Sequence, residues 1–175
     1  SPDISEILAY AQQGLCPEKE CPGAWEGVCH MKTYAQGLRE QIKREVNGED
    51  YDHPLQGLHI VVDAGNGAGG FYAGEVLEPL GADVSGSQFL EPDGMFPNHI
   101  PNPEDKEAMA SISQAVVRAK ADLGVIFDTD VDRGAAVDST GQEISRNRLV
   151  ALASAIALEK APGGTIVTDS ITSDG

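Results

Sequence analysis

From Gly57 onward, short apolar runs of strand length alternate with stretches of helical spacing, and this alternation constrains the fold more than any other feature of the chain. The first run is LHIVVD (58–63). A helix-period stretch FYAGEVLEPLG and a second strand-like run ADVSGSQFL follow, and the pattern resumes with LGVIF, GAAVD and TIVTD. Such alternation predicts an α/β fold, a parallel-type sheet with flanking helices. The best-marked helix follows the loop at 91–104. Asn102 is placed to cap it, Pro103 to open it, and Glu104 and Asp105 lie at the positive end of its dipole. Ala108, Met109, Ile112, Ala115, Val116 and Ala119 then share one apolar face. A last helix is expected over 149–160, after a turn at 139–141.

Ahead of Gly57 the chain reads differently. SPDISEILAYAQQG has Ser1 as a cap, Pro2 at the first helical position, Ile4, Ile7, Leu8 and Ala11 on one face, and Gly14 as a stop. Residues 15–29 show neither period and read as a loop. Tyr34, Ala35, Leu38 and Ile42 mark a second helix over 32–46, ending at Asn47-Gly48, and 49–54 is a polar linker. Three parts are expected: an N-terminal helix and Cys-containing loop (1–31), an α/β domain (32–162), and the start of a following, truncated domain (163–175).

Cys16, Cys21 and Cys29 are an odd number, a poor disulfide framework. With His30 they could be drawn as a zinc site, but CPEKECPGAWEGVCH lacks the C-x2-C pair of most structural zinc sites. Free thiols on a surface loop, in a reducing compartment, are the favoured reading. The net charge of −16, from 28 acidic and 12 basic residues, argues against binding a nucleic-acid backbone or an anionic membrane. No apolar run approaches the roughly 20 residues that span a bilayer, and the N-terminus lacks signal-peptide order. A soluble, intracellular protein is expected, and any small anionic substrate would have to be held by a metal or by local arginines.

The stretch GVIFDTDVDRGAAVD (124–138) sets Asp128, Asp130 and Asp132 on alternate residues where a strand runs out. Alternate residues of an extended loop turn their side chains to one side, so the three carboxylates converge. Two carboxylates about 4 Å apart repel by on the order of 4 kcal/mol at an effective dielectric near 20, and a divalent cation removes that cost. All-oxygen ligation selects a hard ion, Mg2+ where part of the shell is left for water or phosphate. Ligands of open α/β sheets bind outside the carboxyl ends of strands, where this turn lies. Arg133 either balances the cluster as a surface ion pair or offers its planar fork to a phosphate.

Rival motifs remain. VIFDTDV fits the D-x-D-x-[TV] pattern of haloacid-dehalogenase-type phosphotransferases, with Asp128 as nucleophile and Asp130 as acid/base. That chemistry needs a downstream lysine and another acidic pair, for which the sequence offers only Lys160 on a helix and Asp169. An EF-hand fails because positions six and twelve, counted from Asp128, are Arg133 and Ser139. VVDAGNGAGG carries G-x-G-x-x-G at Gly65, Gly67 and Gly70, the dinucleotide fingerprint. The acid expected about 20 residues on is misplaced, and Asp63 and Asn66 lie where phosphates would. A structural tight turn is favoured over nucleotide binding. His99, in a loop with four prolines, reads as a hydrogen-bonded histidine in packed structure ahead of a ligand.

Taken in order, LHIVVDAGNGAGG, PDGMFPNHIPNPE, ADLGVIFDTDVDRGAAVD and GGTIVTDSITS resemble the α-D-phosphohexomutase superfamily, the phosphoglucomutases and phosphomannomutases, from about residue 32 to the C-terminus. The family loop usually reads D-G-D-G-D-R. Here Thr129 and Val131 replace both glycines while the three aspartates and the arginine are kept. The resemblance implies that Asp128, Asp130 and Asp132 bind Mg2+ and that Arg133 faces the phosphosugar. It implies four domains around a cleft, with this chain as the second and the start of the third. In such enzymes a phosphoserine on the first domain passes its phosphoryl group to a hexose phosphate, through a bisphosphorylated intermediate. No phosphoserine loop, sugar-recognition loop or phosphate-binding loop of the other domains occurs here. The isolated chain is expected to be inactive, to bind Mg2+ weakly at most, and to need the remaining domains of its polypeptide.

Overall fold

The computed structural model describes residues 2–14, 23–169 and 172. The chain divides into two units, Ser1–His30 and Met31–Gly175. The first holds helix α1 (Pro2–Gln13), which stops at Gly14 in the left-handed conformation a side chain resists (φ +66°). Residues 23–30 have no regular structure. Cys29 is exposed and free. Ser1, Cys16 and Cys21 lie outside the described residues, as does most of the expected cysteine loop.

The second unit begins with α2 (Met31–Val46). Strands β1 (Ile60–Asp63), β2 (Leu123–Phe127), β3 (Gly134–Asp138) and β4 (Glu143–Ile144) form one sheet in that order. Helix α3 (Lys106–Ala119) lies in the connection from β1 to β2, and α4 (Arg146–Lys160) follows β4. The class is α/β as expected. The sheet is parallel only between β1 and β2, where Ile60 pairs with Leu123; β2–β3 and β3–β4 are antiparallel. The links from β2 to β3 and from β3 to β4 are short loops, and a parallel return needs a crossover of a dozen residues or more.

The core sits on both faces of the sheet. On one, Ala108, Ile112, Ala115 and Val116 of α3 pack against Val61, Ile126, Ala135 and Val137. A Cβ at Gly124 would stand 2.4 Å from Val116 Cγ2, so glycine there lets helix and strand approach. On the other face Ile60 and Val62 pack with Ala73, Leu77 and Ala82, and Ala35 of α2 packs with Val76 and Leu80.

Four expectations are corrected. FYAGEVLEPLG is not an α-helix: a π-helical turn (Tyr72–Leu77) lies between 3-10 turns (Ala68–Gly70 and Glu78–Leu80). Pro79 has no N–H for the Glu75 carbonyl, and Arg39 of α2 supplies the missing donor. ADVSGSQFL forms no strand: it pairs beside β1 through isolated bridges, Asp83 to His59 and Gln88 to Asp63. TIVTD is not a strand; Val167 is 88% exposed and pairs with no strand among the described residues. Finally, α3 is capped by Asp105, whose Oδ1 accepts from the N–H groups of Glu107 (2.8 Å) and Ala108 (3.1 Å). Asn102 caps the preceding turn by accepting from Glu104 N–H.

Candidate metal centre

Strand β2 ends at Phe127 and β3 starts at Gly134, so Asp128 to Arg133 form the loop at the carboxyl end of the parallel strand. The loop is closed at its base by its two ends. Asp128 N–H donates to Arg133 O (3.1 Å), and Arg133 N–H donates to Asp128 Oδ1 (3.0 Å). The Arg133 guanidinium also grips Asp128 Oδ2 through Nε and Nη2, both at 3.0 Å. Asp128 is fully buried, whereas Asp130 and Asp132 are exposed. Each of the three offers a carboxylate oxygen, and all three oxygens lie within 4.8 Å of one another.

Charge is concentrated accordingly. Burial pushes the Asp128 carboxyl up, but the Arg133 N–H, the Asp132 hydrogen bond and the guanidinium outweigh it and hold the group below its ordinary range. Asp132 is raised, first by its hydrogen bond to Asp128, then by repulsion from Asp130 and Asp128. Arg133 loses something to desolvation and gains more from Asp128, so its guanidinium is held more firmly in the charged form. Because Asp128 is buried, this pair is not the weak surface bridge of the blander reading. Arg133 is itself half exposed and borders an open recess of about 250 Å3 with Pro103, Glu104, Asp132, Gly134 and Arg146. The donor set fits a hard divalent cation: three carboxylates, all oxygen, one fixed in the core and two facing solvent.

The backbone of the loop carries strain. Val131 has φ +68°, a left-handed conformation that costs a β-branched residue about 1–3 kcal/mol. Thr129 shows no such conformation, and its carbonyl accepts from Ala68 N–H at 2.9 Å.

That bond joins the acidic loop to the glycine-rich turn. A Cβ on Gly67 would lie 2.8 Å from Thr129 O, one on Gly65 (φ +53°) 2.8 Å from Pro101 Cβ, and one on Gly70 1.7 Å from Leu90 O. The glycines admit neighbouring loops of this chain where a cofactor pyrophosphate would have to approach, and no α-helix N-terminus follows to receive one. The turn is structural. Nor is the dehalogenase-type site supplied: the lysine it needs is not at the loop, since Lys160 pairs with Glu45 of α2.

Two groups named in the sequence have partners that sequence reasoning did not foresee. Asp63 is fully buried and collects donors from four directions, and Asn102 Oδ1 accepts from Arg133 Nη1 (3.3 Å). An acid closing a wholly apolar strand was the available signal for the first. His99 is buried between Asp63 and the Ile100 carbonyl, the packed role expected of it.

Fold and loop together define an open α/β domain with a cation-competent carboxylate cluster at the end of a parallel strand. Residues 32–141 match the family "Phosphoglucomutase/phosphomannomutase, alpha/beta/alpha domain II". A phosphoglucomutase of Neisseria gonorrhoeae is 33% identical over 165 residues, 93% of this chain and 31% of the relative. A phosphomannomutase/phosphoglucomutase of Pseudomonas syringae is 41% identical over 112 residues, 64% of this chain and 24% of the relative. The crystal structure of a phosphoglucomutase/phosphomannomutase family protein from Burkholderia thailandensis superposes with a TM-score of 0.69 at 26% identity, covering 93% of this chain and 33% of that one. The chain therefore belongs to the phosphoglucomutase/phosphomannomutase family, and it spans about a third or less of the length of these relatives. Among the described residues no helix is long and apolar enough to cross a membrane.

Proposed function

We propose that this chain is the metal-binding part of a phosphohexomutase, which moves a phosphoryl group between the 1- and 6-positions of a hexose phosphate. The observation that carries the reading is the convergence of Asp128, Asp130 and Asp132 within 4.8 Å at the end of β2, in a chain of this family. These three would hold Mg2+. A cation bound there supplies Lewis-acid polarisation of a phosphoryl oxygen and neutralises its charge. Asp128 anchors the loop from the core, and the exposed Asp130 and Asp132 present oxygens outward. Arg133, bordering the recess, orients a phosphate of the hexose phosphate or of its bisphosphorylated intermediate through its planar fork.

The phosphoserine that exchanges phosphoryl groups with the sugar lies outside this chain, on another domain of the same polypeptide. Residues 32–162 are then the metal-binding domain and 163–175 the start of the next. With this reading go the soluble, intracellular setting and the lack of nucleic-acid or membrane partners expected from the charge of −16.

Titration of Mn2+ into the chain, followed by calorimetry or water-proton relaxation, tests the site. The wild type is expected to bind, and Asp130→Asn, altering one exposed ligand, to bind at least about tenfold more weakly. Equal binding by both would remove the metal from this loop, and so would the absence of binding by the wild type if the whole polypeptide, with its remaining domains, bound none either.

A further inference from the structure

Behind the acidic loop lies a buried pair with no part in the reading above. Asp63 ends β1 with no exposed surface, and the His99 side chain is 4% exposed. Asp63 Oδ1 accepts from Gly65 N–H at 2.9 Å, and Oδ2 accepts from Gln88 Nε2 (2.8 Å) and Ser111 Oγ (3.1 Å). His99 Nε2 lies 3.0 and 3.1 Å from the two oxygens, and Nδ1 lies 3.0 Å from Ile100 O. The strand, the glycine-rich turn, α3 and the proline-rich loop thus meet at one carboxylate.

Two arms lead from this pair to opposite ends of the acidic loop. Through Gly65, Asp63 fixes the turn whose Gly67 fits against Thr129 and whose Ala68 N–H donates to Thr129 O. Through Ile100 O, which also accepts from Asn102 N–H at 2.8 Å, His99 fixes Asn102, and Asn102 Oδ1 receives Arg133 Nη1. Pro101, against Gly65, joins the arms. The loop is therefore held at Thr129 and at Arg133, on either side of Asp130 and Asp132.

We propose that Asp63 and His99 are positioning residues that set the spacing of the three carboxylates and the direction of Arg133, by clamping both ends of the loop that carries them. The inference rests on the reading of that loop as the cation site. A pair that merely held the fold together would loosen the sheet and α3 as much as the loop. Supports of this kind orient ligands they never touch, and their loss characteristically weakens metal binding.

Amide hydrogen exchange separates the two roles without any metal. In His99→Ala, exchange at Ala68 and Arg133, whose N–H groups bond to Thr129 O and Asp128 Oδ1, is expected to quicken by roughly tenfold or more, while Val116 and Ile126 in the core change little. His99→Gln, whose amide can still donate to Asp63, recovers part of the protection. Unchanged rates at Ala68 and Arg133 would overturn the proposal, and so would an equal rise throughout the core. If His99→Ala does not fold, Asn102→Ala cuts one arm at a partly exposed residue: Arg133 should quicken and Ala68 should not, and any other pattern counts against the clamp. In parallel, Mn2+ affinity of the folded variant is expected to fall by about tenfold. A whole polypeptide that binds no Mn2+ would sink the metal reading, while the exchange rates would still decide the clamp.

Discussion

The half of the molecule built from β1, α3 and β2 and the region of α4 and residues 161–169 are both rich in apolar letters, and they come out oppositely. In the first, Ile112, Val116, Val61 and Ile126 are fully buried. In the second no residue of α4 is buried, with Leu152 59% and Ile156 47% exposed. The difference is one of arrangement. KEAMASISQAVVRA puts its apolar residues three and four apart on one stripe, which the sheet covers. RNRLVALASAIALEK spreads Leu149, Val150, Leu152, Ile156 and Leu158 around the helix, so good helix formers give the element and no single face gives it a place in the core. The acidic loop grows from the well-covered half.

The largest expected effect tests that contrast directly. Ile112→Ala should lower unfolding free energy by about 3 kcal/mol, since a fully buried side chain is exchanged for a cavity. Ile156→Ala should change it by less than about 0.5 kcal/mol. Urea melts of the two variants would break the comparison if the costs were similar, for α4 would then be as well packed as α3.

An opposite sign is expected at the rim of the well-packed half. Val131 is held at φ +68° by a loop pinned at Thr129 and Arg133. Val131→Gly removes the β-branched strain and adds some freedom to the unfolded chain, so a net gain of about 1 kcal/mol is expected. A loss of stability would mean that Val131 contributes packing that outweighs its backbone conformation.

How far the sequence foretold these regions follows from the range of the forces involved. α2, α3 and strands β1, β2 and β3 are legible because periodicity and caps are local signals. The convergence of Asp128, Asp130 and Asp132 is legible because spacing along an extended loop is local too. The clamp from Asp63 and His99 is not, because it joins residues 36 apart through a shared carboxylate. The π-helical turn was missed because the Glu75 carbonyl, which Pro79 cannot serve, is satisfied by Arg39, distant in sequence. TIVTD has strand composition without a strand beside it, and composition cannot supply a partner. The N-cap of α3 was misjudged between Asn102 and Asp105 because both are good caps; Asp105 bonds to the first turn, and Asn102 holds Arg133.

The smallest effect lies at the hairpin between the two regions. Asp138, the last residue of β3, accepts at Oδ1 from Thr140 Oγ1 (2.6 Å), Thr140 N–H (2.9 Å) and Gln142 N–H (3.1 Å). The Thr140 hydroxyl, ahead of the Gln142 N–H, holds the Asp138 carboxyl below its ordinary value. A depressed carboxylate adds stability that is fully present above its unfolded pKa of about 3.9 and is lost as pH falls through the lower folded value. In Thr140→Ala the largest cause of the depression is gone, so the fall in melting temperature between about pH 5 and pH 2 should be shallower than in the wild type. Since Asp138 is partly exposed to solvent, the difference should be small and should shrink further in high salt. Superimposable pH profiles would mean that the turn is held by Gly141 at φ +83° and the strand pairing alone, and that the join between the two regions owes nothing to Asp138.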